Sequence, residues 1–342
     1  MIKITRPSLT KNTKTAIQTI VFLVLGGLLF YLAIGSQDLS KVWEEIKGAD
    51  LKWIVVSMIC GILSHLARAL RWNLLLEPMG YKATAAGSFH AVILGYLVNM
   101  GLPRVGEITR PAVLSKLEGI PFNKLVGTVV VERVVDLLIT LLIAIAIFLL
   151  QFDLISDFVS SLFQDAEVGS FQLYGFILAA VLVFGIVLYR KREWFYTLPI
   201  IGKLKSFIEG LLDGVKTIFN LKRKGLFIFY SLFIWVMYFF MPFFIFYAFS
   251  GTAHLGFGAG LTVLLFGTAA MIVPIPGGVG TFEFMVPAAL AIYGIAPLLA
   301  DSYTLVTHAI QFIVIIGVGI VSIIYFVLKS RKLKKDVAKH NK

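Results

Sequence analysis

The side chains best suited to chemistry in this sequence are arginines and carboxylates set in apolar or Pro/Gly-broken surroundings. Arg68 and Arg71 stand three apart. Asn99, Arg104, Glu107 and Arg110 gather around Leu102-Pro103-Arg104-Val105-Gly106-Glu107. Glu132, Arg133 and Asp136 interrupt an apolar run, and Pro276, Gly277, Gly278 and Gly280 lead into Glu283. A planar guanidinium fits a phosphate group with two parallel hydrogen bonds, and glycine lets a backbone come close to a headgroup, a role open to Gly106. Glu132 and Asp136, four apart, share a helical face, and Arg133 can pair with Asp136 three residues on. That trio is either an ion pair locking helices together or a phosphate contact, Arg133, held by carboxylates. Arg68 and Arg71 either face one cavity or snorkel to the membrane interface. Glu283, at the start of a half-helix, is either a cap favoured by the helix dipole or a protonatable switch.

Soluble-enzyme signatures are missing: no G-x-G-x-x-G, P-loop, G-x-S-x-G or H-E-x-x-H occurs. His65, His90, His254, His308 and His340 are scattered without ligand spacing, so neither a metal nor a cofactor is expected. Cys60 stands alone and forms no intrachain disulfide.

The elements that must position these residues follow from composition. Of 342 residues, 58% are hydrophobic and 15% charged. A water-soluble chain of this size could not hide that much apolar surface. A spanning helix needs roughly 20 largely apolar residues. Runs at about 16–34, 51–70, 125–150, 171–189, 225–249 and 303–328 qualify. Runs at about 84–102 and 257–298 are broken by Pro and Gly. The first run is a retained helix, since no small-residue cleavage site follows it. The net charge of +12 resides between and beyond the spans, where the positive-inside rule accounts for it, so no nucleic-acid partner is expected.

Lys3, Arg6, Lys11 and Lys14 place the amino terminus inside, as do the basic loop 190–224 and the basic end from Lys329 onward. The acidic, lysine-free segment 151–170 is external. For all these to hold, 84–124 must begin and end inside, and 257–298 must begin and end outside. The expected fold is an all-α polytopic membrane protein: about six full transmembrane helices plus two re-entrant or broken hairpins, arranged as an inverted repeat. A single transmembrane domain covers 1–330, with halves at about 15–150 and 171–328. An amphipathic linker helix at about 199–222 and a basic cytoplasmic tail at 331–342 complete it. Interrupted hydrophobic segments at matching places in two halves point to a transporter's binding site.

These motifs resemble the lysylphosphatidylglycerol synthase transmembrane family, also called flippase-like domain proteins. The resemblance rests on Arg68-x-x-Arg71-Trp72, on Asn99-x-x-Leu102-Pro103-Arg104-x-Gly106-Glu107-x-x-Arg110, on Glu132-Arg133-x-x-Asp136 and on Pro274-x-Pro276-Gly277-Gly278-x-Gly280-x-x-Glu283. Pro103 and Gly106 stand one residue closer than in the family's usual Pro-x-Arg-x-Gly-Glu form. In the bacterial multiple peptide resistance factor, a domain of this kind is fused to an aminoacyl-transferase and moves aminoacylated phosphatidylglycerol across the bilayer. Only about 14 residues follow the last span here, so the transferase is not expected.

The resemblance implies a lipid translocase in the cytoplasmic membrane, multi-pass with both termini cytoplasmic. It would move a phospholipid, aminoacyl-phospholipid or polyprenyl-linked headgroup downhill, by scrambling, or coupled to an ion through Glu107 or Glu283. The alternative is a membrane-embedded enzyme or accessory subunit acting on lipid or polyprenyl phosphates. Expected partners are the membrane lipid and, beyond it, a second copy of the chain or a separate lipid-modifying synthase.

Overall fold

The computed structural model describes residues 24–31, 38–152 and 220–340. Among them every regular element is helical: α1 (24–31), α2 (Leu39–Lys47), α3 (Leu51–Leu76), α4 (Ala85–Gly101), α5 (Gly106–Glu118), α6 (Phe122–Leu150), α7 (Lys224–Phe246), α8 (Phe257–Ile272), α9 (Thr281–Ala291) and α10 (Pro297–His340). The chain divides into two compact units, one of Met1–Val129 with Gly225–Lys342 and one of Val130–Lys224.

Among the described residues, four stretches are long and apolar enough to cross a membrane: Leu51–Met79, Phe122–Leu150, Lys224–Phe246 and Pro297–Leu333. They match four of the six expected spans. Of the expected span 16–34 only 24–31 is described, and it is helical. The expected span 171–189 lies outside the described residues, as does nearly all of the linker 199–222.

Three boundaries differ from the sequence reading. The helix expected to end at 70 continues to Leu76 and closes in a 3-10 turn, Glu77–Met79, before Gly80 with its left-handed φ of 78°. Leu74, Leu75 and Leu76 are buried, and the first proline comes only at 78, so nothing stops the helix earlier. Arg68 and Arg71 therefore lie inside the helix. Residues 331–340, expected as a tail, continue α10, because lysine and arginine are good helix formers. The third is the start of α2, a helix not expected ahead of the span at 51, where the Asp38 carboxylate accepts the Ser40 N–H at 3.0 Å as an N-cap.

The two Pro/Gly-broken runs fold as helical hairpins, α4 on α5 and α8 on α9. At 1.5 Å per residue α4 and α8 are each about 25 Å long, short of the roughly 30 Å hydrocarbon core. Thr84 caps α4, its hydroxyl accepting the Gly87 N–H at 3.0 Å. Pro103 ends that helix, since the residue before a proline is forced out of helical geometry. Gly119, left-handed at φ 70°, closes α5. Between α4 and α5 the backbones nearly touch at Gly95 and Gly106, and a Cβ on Gly106 would overlap the Gly95 carbonyl oxygen. Small residues of this kind allow close helix contact in a lipid setting, where burial itself supplies little drive.

One core gathers Phe246, Phe249, Val263, Phe282, Val286, Leu290 and Tyr303 from α7 to α10. The other gathers Trp72, Leu76, Leu94, Leu114, Leu117 and Leu125 from α3 to the start of α6, with Tyr325 and Phe326 of α10 against it. Helix α10 is thus the common wall, packed on α2, α3, α4, α5 and α9. Its far end is fastened to the first hairpin by Lys329 Nζ donating to Glu118 Oε1 at 2.8 Å, and by Ser322 Oγ at 2.8 Å from His90 Nδ1.

Candidate functional site

Arg68 and Arg71 lie one turn apart on α3 and are 2% and 0% exposed, too deep to be snorkelling to an interface. Arg68 Nη2 donates to Tyr238 Oη of α7 at 3.0 Å. Its guanidinium stands 5.7 Å from the Tyr238 ring centre and 6.0 Å from that of Tyr96 on α4. Arg71 Nη1 approaches Ser231 Oγ at 3.4 Å and lies 5.9 Å from the Phe227 ring. Arg110 of α5, also buried, rests 3.8 Å above the ring of Trp72. Trp72 is itself fixed by donating Nε1–H to Thr128 Oγ1 at 2.7 Å. Three buried cations are thus set against aromatic faces, whose quadrupoles stabilise positive charge where water is scarce. His65, one turn before Arg68, lies tilted against the Tyr96 ring with centroids 4.8 Å apart and completes this wall.

The first hairpin tip puts the other predicted residues to mixed use. Asn99 Oδ1 accepts the Gly106 N–H at 2.7 Å, so Asn99 caps α5 from the end of α4. Gly106 serves the α4–α5 contact described above, which is a different use from the headgroup approach its sequence context suggested. Glu107 sits in the first turn of α5, where the dipole favours a carboxylate. Arg104 is the one non-glycine with positive φ among the described residues, at 64°. That left-handed conformation costs an arginine roughly 1–2 kcal/mol. It sends Arg104 Nη2 to the Ile272 carbonyl at 3.3 Å, at the end of α8.

The second tip begins at that carbonyl. Past α8 the chain is extended at Val273, makes a 3-10 turn at Pro276–Gly278, and enters α9 at Thr281. Gly277, Gly278 and Gly280 have φ of 61°, 73° and 87°, so the unwinding that Pro274, Pro276 and these glycines predict is present. The Pro276–Gly278 turn packs on α4. The tips of the two hairpins therefore meet. Gly280 also faces α1, where a Cβ would overlap the Gly26 carbonyl oxygen.

Glu283 does cap α9: its Oε2 accepts the Gly280 N–H at 2.6 Å. Its other oxygen has a partner the sequence reading missed. His308 Nδ1 of α10 lies 2.5 Å from Glu283 Oε1, and His308 Nε2 lies 2.9 Å from the Gly277 carbonyl oxygen. Phe282 stacks on the imidazole at 4.4 Å and Phe312 meets it edge-on at 4.9 Å. Glu283 and His308 are both buried. The signal that could have found His308 is its place in an apolar span, where an ionisable side chain is functional by default.

Glu132, Arg133 and Asp136 belong to the second unit. Glu132 is fully buried and Asp136 nearly so, while Arg133 is half exposed and its Nη1 lies 3.7 Å from Asp136 Oδ2. The expected three-apart pairing is present.

The architecture is that of an α-helical, multi-pass membrane protein built around two helical hairpins with meeting tips. The model of the lysylphosphatidylglycerol synthase TM region matches residues 18–319, and the chain belongs to that family. It is 22% identical to a UPF0104 membrane protein of Pyrococcus horikoshii over 92% of this chain and 97% of that one. A UPF0104 membrane protein of Methanocaldococcus jannaschii shares 33% identity over a shorter stretch, 37% of each chain. Glycosyltransferase AglD of Haloferax volcanii is 26% identical over 38% of this chain, a stretch spanning 20% of AglD. No solved structure matches.

Proposed function

We propose that the protein moves a phosphate-bearing lipid headgroup between the leaflets of the cytoplasmic membrane. The observation that carries this reading is the row of buried guanidinium groups, Arg68, Arg71 and Arg110, on helices beside two unwound hairpin tips. Arginine in apolar surroundings is costly, and it persists where it faces a partner or a wet path. Guanidinium groups offer the paired donors that phosphate oxygens take best. Unwound backbone at Pro276–Gly280 is tolerated at membrane depth only where it lines such a path or is buried in protein.

Arg104, Glu107 and the Gly277–Gly280 backbone complete the site in this reading. The two hairpins enter from opposite sides as halves of an inverted repeat, with both termini inside. The family's name attaches it to the synthase of an aminoacyl phospholipid, and one relative is a glycosyltransferase. Both favour a phospholipid, aminoacyl-phospholipid or polyprenyl-linked substrate.

The test is purified full-length protein in liposomes carrying a fluorescent phospholipid, with an external reductant as quencher. Inner-leaflet fluorescence should become quenchable only in vesicles that hold the protein. Arg68→Met and Arg71→Met should slow exchange by about tenfold or more, the loss of one charge-assisted contact. Arg71→Lys should recover only part of it, keeping the charge without the fork. Wild-type exchange no faster than in protein-free vesicles, across phosphatidylglycerol, its aminoacyl form and a polyprenyl phosphate, would sink the reading.

A further inference from the structure

The hydrogen bonds around Glu283 and His308 fix the number of protons they hold. The Gly277 carbonyl only accepts, so His308 Nε2 must carry a hydrogen to sit 2.9 Å from it. The Gly280 N–H only donates, so Glu283 Oε2 must be bare on that side. Between Oε1 and Nδ1, 2.5 Å apart, one further proton is then required, bound to either atom. Every contact is satisfied with that proton in place.

Remove it, and the neutral imidazole has a single hydrogen for two acceptors. A lone pair must then face either the Glu283 carboxylate or the Gly277 carbonyl, and one of the two contacts opens. Add a second proton, and with Nδ1–H already donating to Oε1 it goes to Oε2, which becomes a weaker acceptor for the Gly280 N–H. In either direction the set of bonds that joins the glycine turn to Glu283 and His308 is weakened. The turn's other bonds are local: Gly278 N–H donates to the Ile275 carbonyl at 3.0 Å, Val279 N–H to the Pro276 carbonyl at 3.3 Å, and Thr281 Oγ1 to the Gly278 and Ala270 carbonyls, so His308 is the group that ties it to α10. Phe282 and Phe312 cover the imidazole, so water is not at hand to replace a lost partner.

We infer that Glu283 and His308 form a one-proton latch on the second hairpin tip, closed while they share a proton and released when it leaves. The latch stands on geometry alone; only its use, gating passage of a headgroup, rests on the translocation reading. Few other ionisable groups lie on the elements around it. Helix α8 and the Pro276–Gly278 turn have none, and α9 has Glu283 alone. Helix α10 offers Asp301 two turns before His308 and, nearer, Tyr303, whose hydroxyl donates to the Pro242 carbonyl at 2.7 Å, and α1 offers Tyr31. On α4, His90 is engaged with Ser322, and Tyr96 with His65 and Tyr238. From the first tip, Arg104 reaches Ile272.

The test is amide hydrogen exchange of the segment 274–284 in the full chain in lipid nanodiscs, corrected for intrinsic exchange and referred to α3. In the wild type, protection should fall with rising pH by about tenfold per pH unit once the pair begins to deprotonate, the slope of one-proton linkage. Glu283→Gln makes the decisive comparison. The glutamine N–H₂ can donate to Nδ1 while its oxygen still accepts from Gly280, which copies the protonated pair without a titratable proton. That variant should stay protected and flat over the same range. His308→Ala should be unprotected throughout.

A flat wild-type profile overturns the latch, whether or not the variants fold. So does a Glu283→Gln tip that is less protected than wild type at neutral pH, the behaviour of a plain ion pair. Liposome exchange separates the two proposals: lipid movement with a pH-flat tip removes the latch alone, and a working latch in a protein that moves no lipid removes the translocase alone.

Discussion

Gly280→Ala should weaken the second tip, and the size of the effect follows from two independent terms. Gly280 has φ 87° and ψ −46°, a conformation that costs an L-residue about 1–3 kcal/mol. A Cβ there would overlap the Gly26 carbonyl oxygen and lie 2.9 Å from both the Gly26 carbonyl carbon and the Phe30 amide nitrogen. All three are backbone atoms, so no rotamer change relieves the clash, and α1 and the tip must part by about 1 Å. Overpacking of that kind costs about 1–3 kcal/mol. Together the terms predict a loss of roughly 2–6 kcal/mol, which for a chain of 342 residues is a fall in melting temperature of about 3–8 °C.

The chain reports its own unfolding, because Cys60 is its only cysteine and is buried. A thiol-reactive fluorogenic dye should therefore light up at the melting point. Gly27→Ala is the control: its Cβ would meet no atom within 4 Å, so it should melt with the wild type. If Gly280→Ala also melts within about 1 °C of wild type, a shift worth well under 1 kcal/mol, the close approach of α1 to the tip is wrong.

Trp72→Phe should cost about 2 kcal/mol by the same dye assay, since it removes the Nε1–H bond to Thr128 and trims a fully buried ring. Because that ring carries Arg110, the variant should also slow lipid exchange beyond what its stability loss explains. Asp38 makes a pH prediction at an exposed position. The Ser40 hydroxyl and N–H hold its carboxylate below the usual aspartate range. A depressed folded value means the cap is fully present above the unfolded pKa and is lost as pH falls through the folded one. Amide protection of α2 should therefore drop at acid pH in the wild type. In Asp38→Ala it should be low and pH-independent across the same interval.

Helix class, the four described spans and both hairpins were legible because each depends on local properties. Apolar length sets a span, and Pro103, Pro274 and Pro276 break helices wherever they occur. Helix ends were less legible where no breaker marks them. Nothing between Arg71 and Glu77 announces that α3 continues, and only the burial of Leu74 to Leu76 against other helices keeps it going. The difference matters for function, because Arg68 and Arg71, for which a shared cavity and the membrane interface were both open, are buried within the helix packing.

The candidate site was legible in its residue types and less so in its partnerships. Asn99 and Glu283 attract attention as polar groups at broken helices, and both are caps; what distinguishes Glu283 is a histidine 25 positions away on another helix. No local spacing rule connects residues 283 and 308. The same holds for Arg104, whose reach to the Ile272 carbonyl spans 168 positions. These long-range contacts bear on how the tips can move. Ile272 ends α8, one residue before the chain unwinds, and Gly280 at the other end of the turn abuts α1. A turn held at one end by the first hairpin and packed at the other against α1 cannot shift alone. Release of Glu283 or His308 would therefore be felt through Ile272 at Arg104, which already sits in a strained left-handed conformation. Strain at one tip and a proton-counted lock at the other are the ingredients of a two-state element.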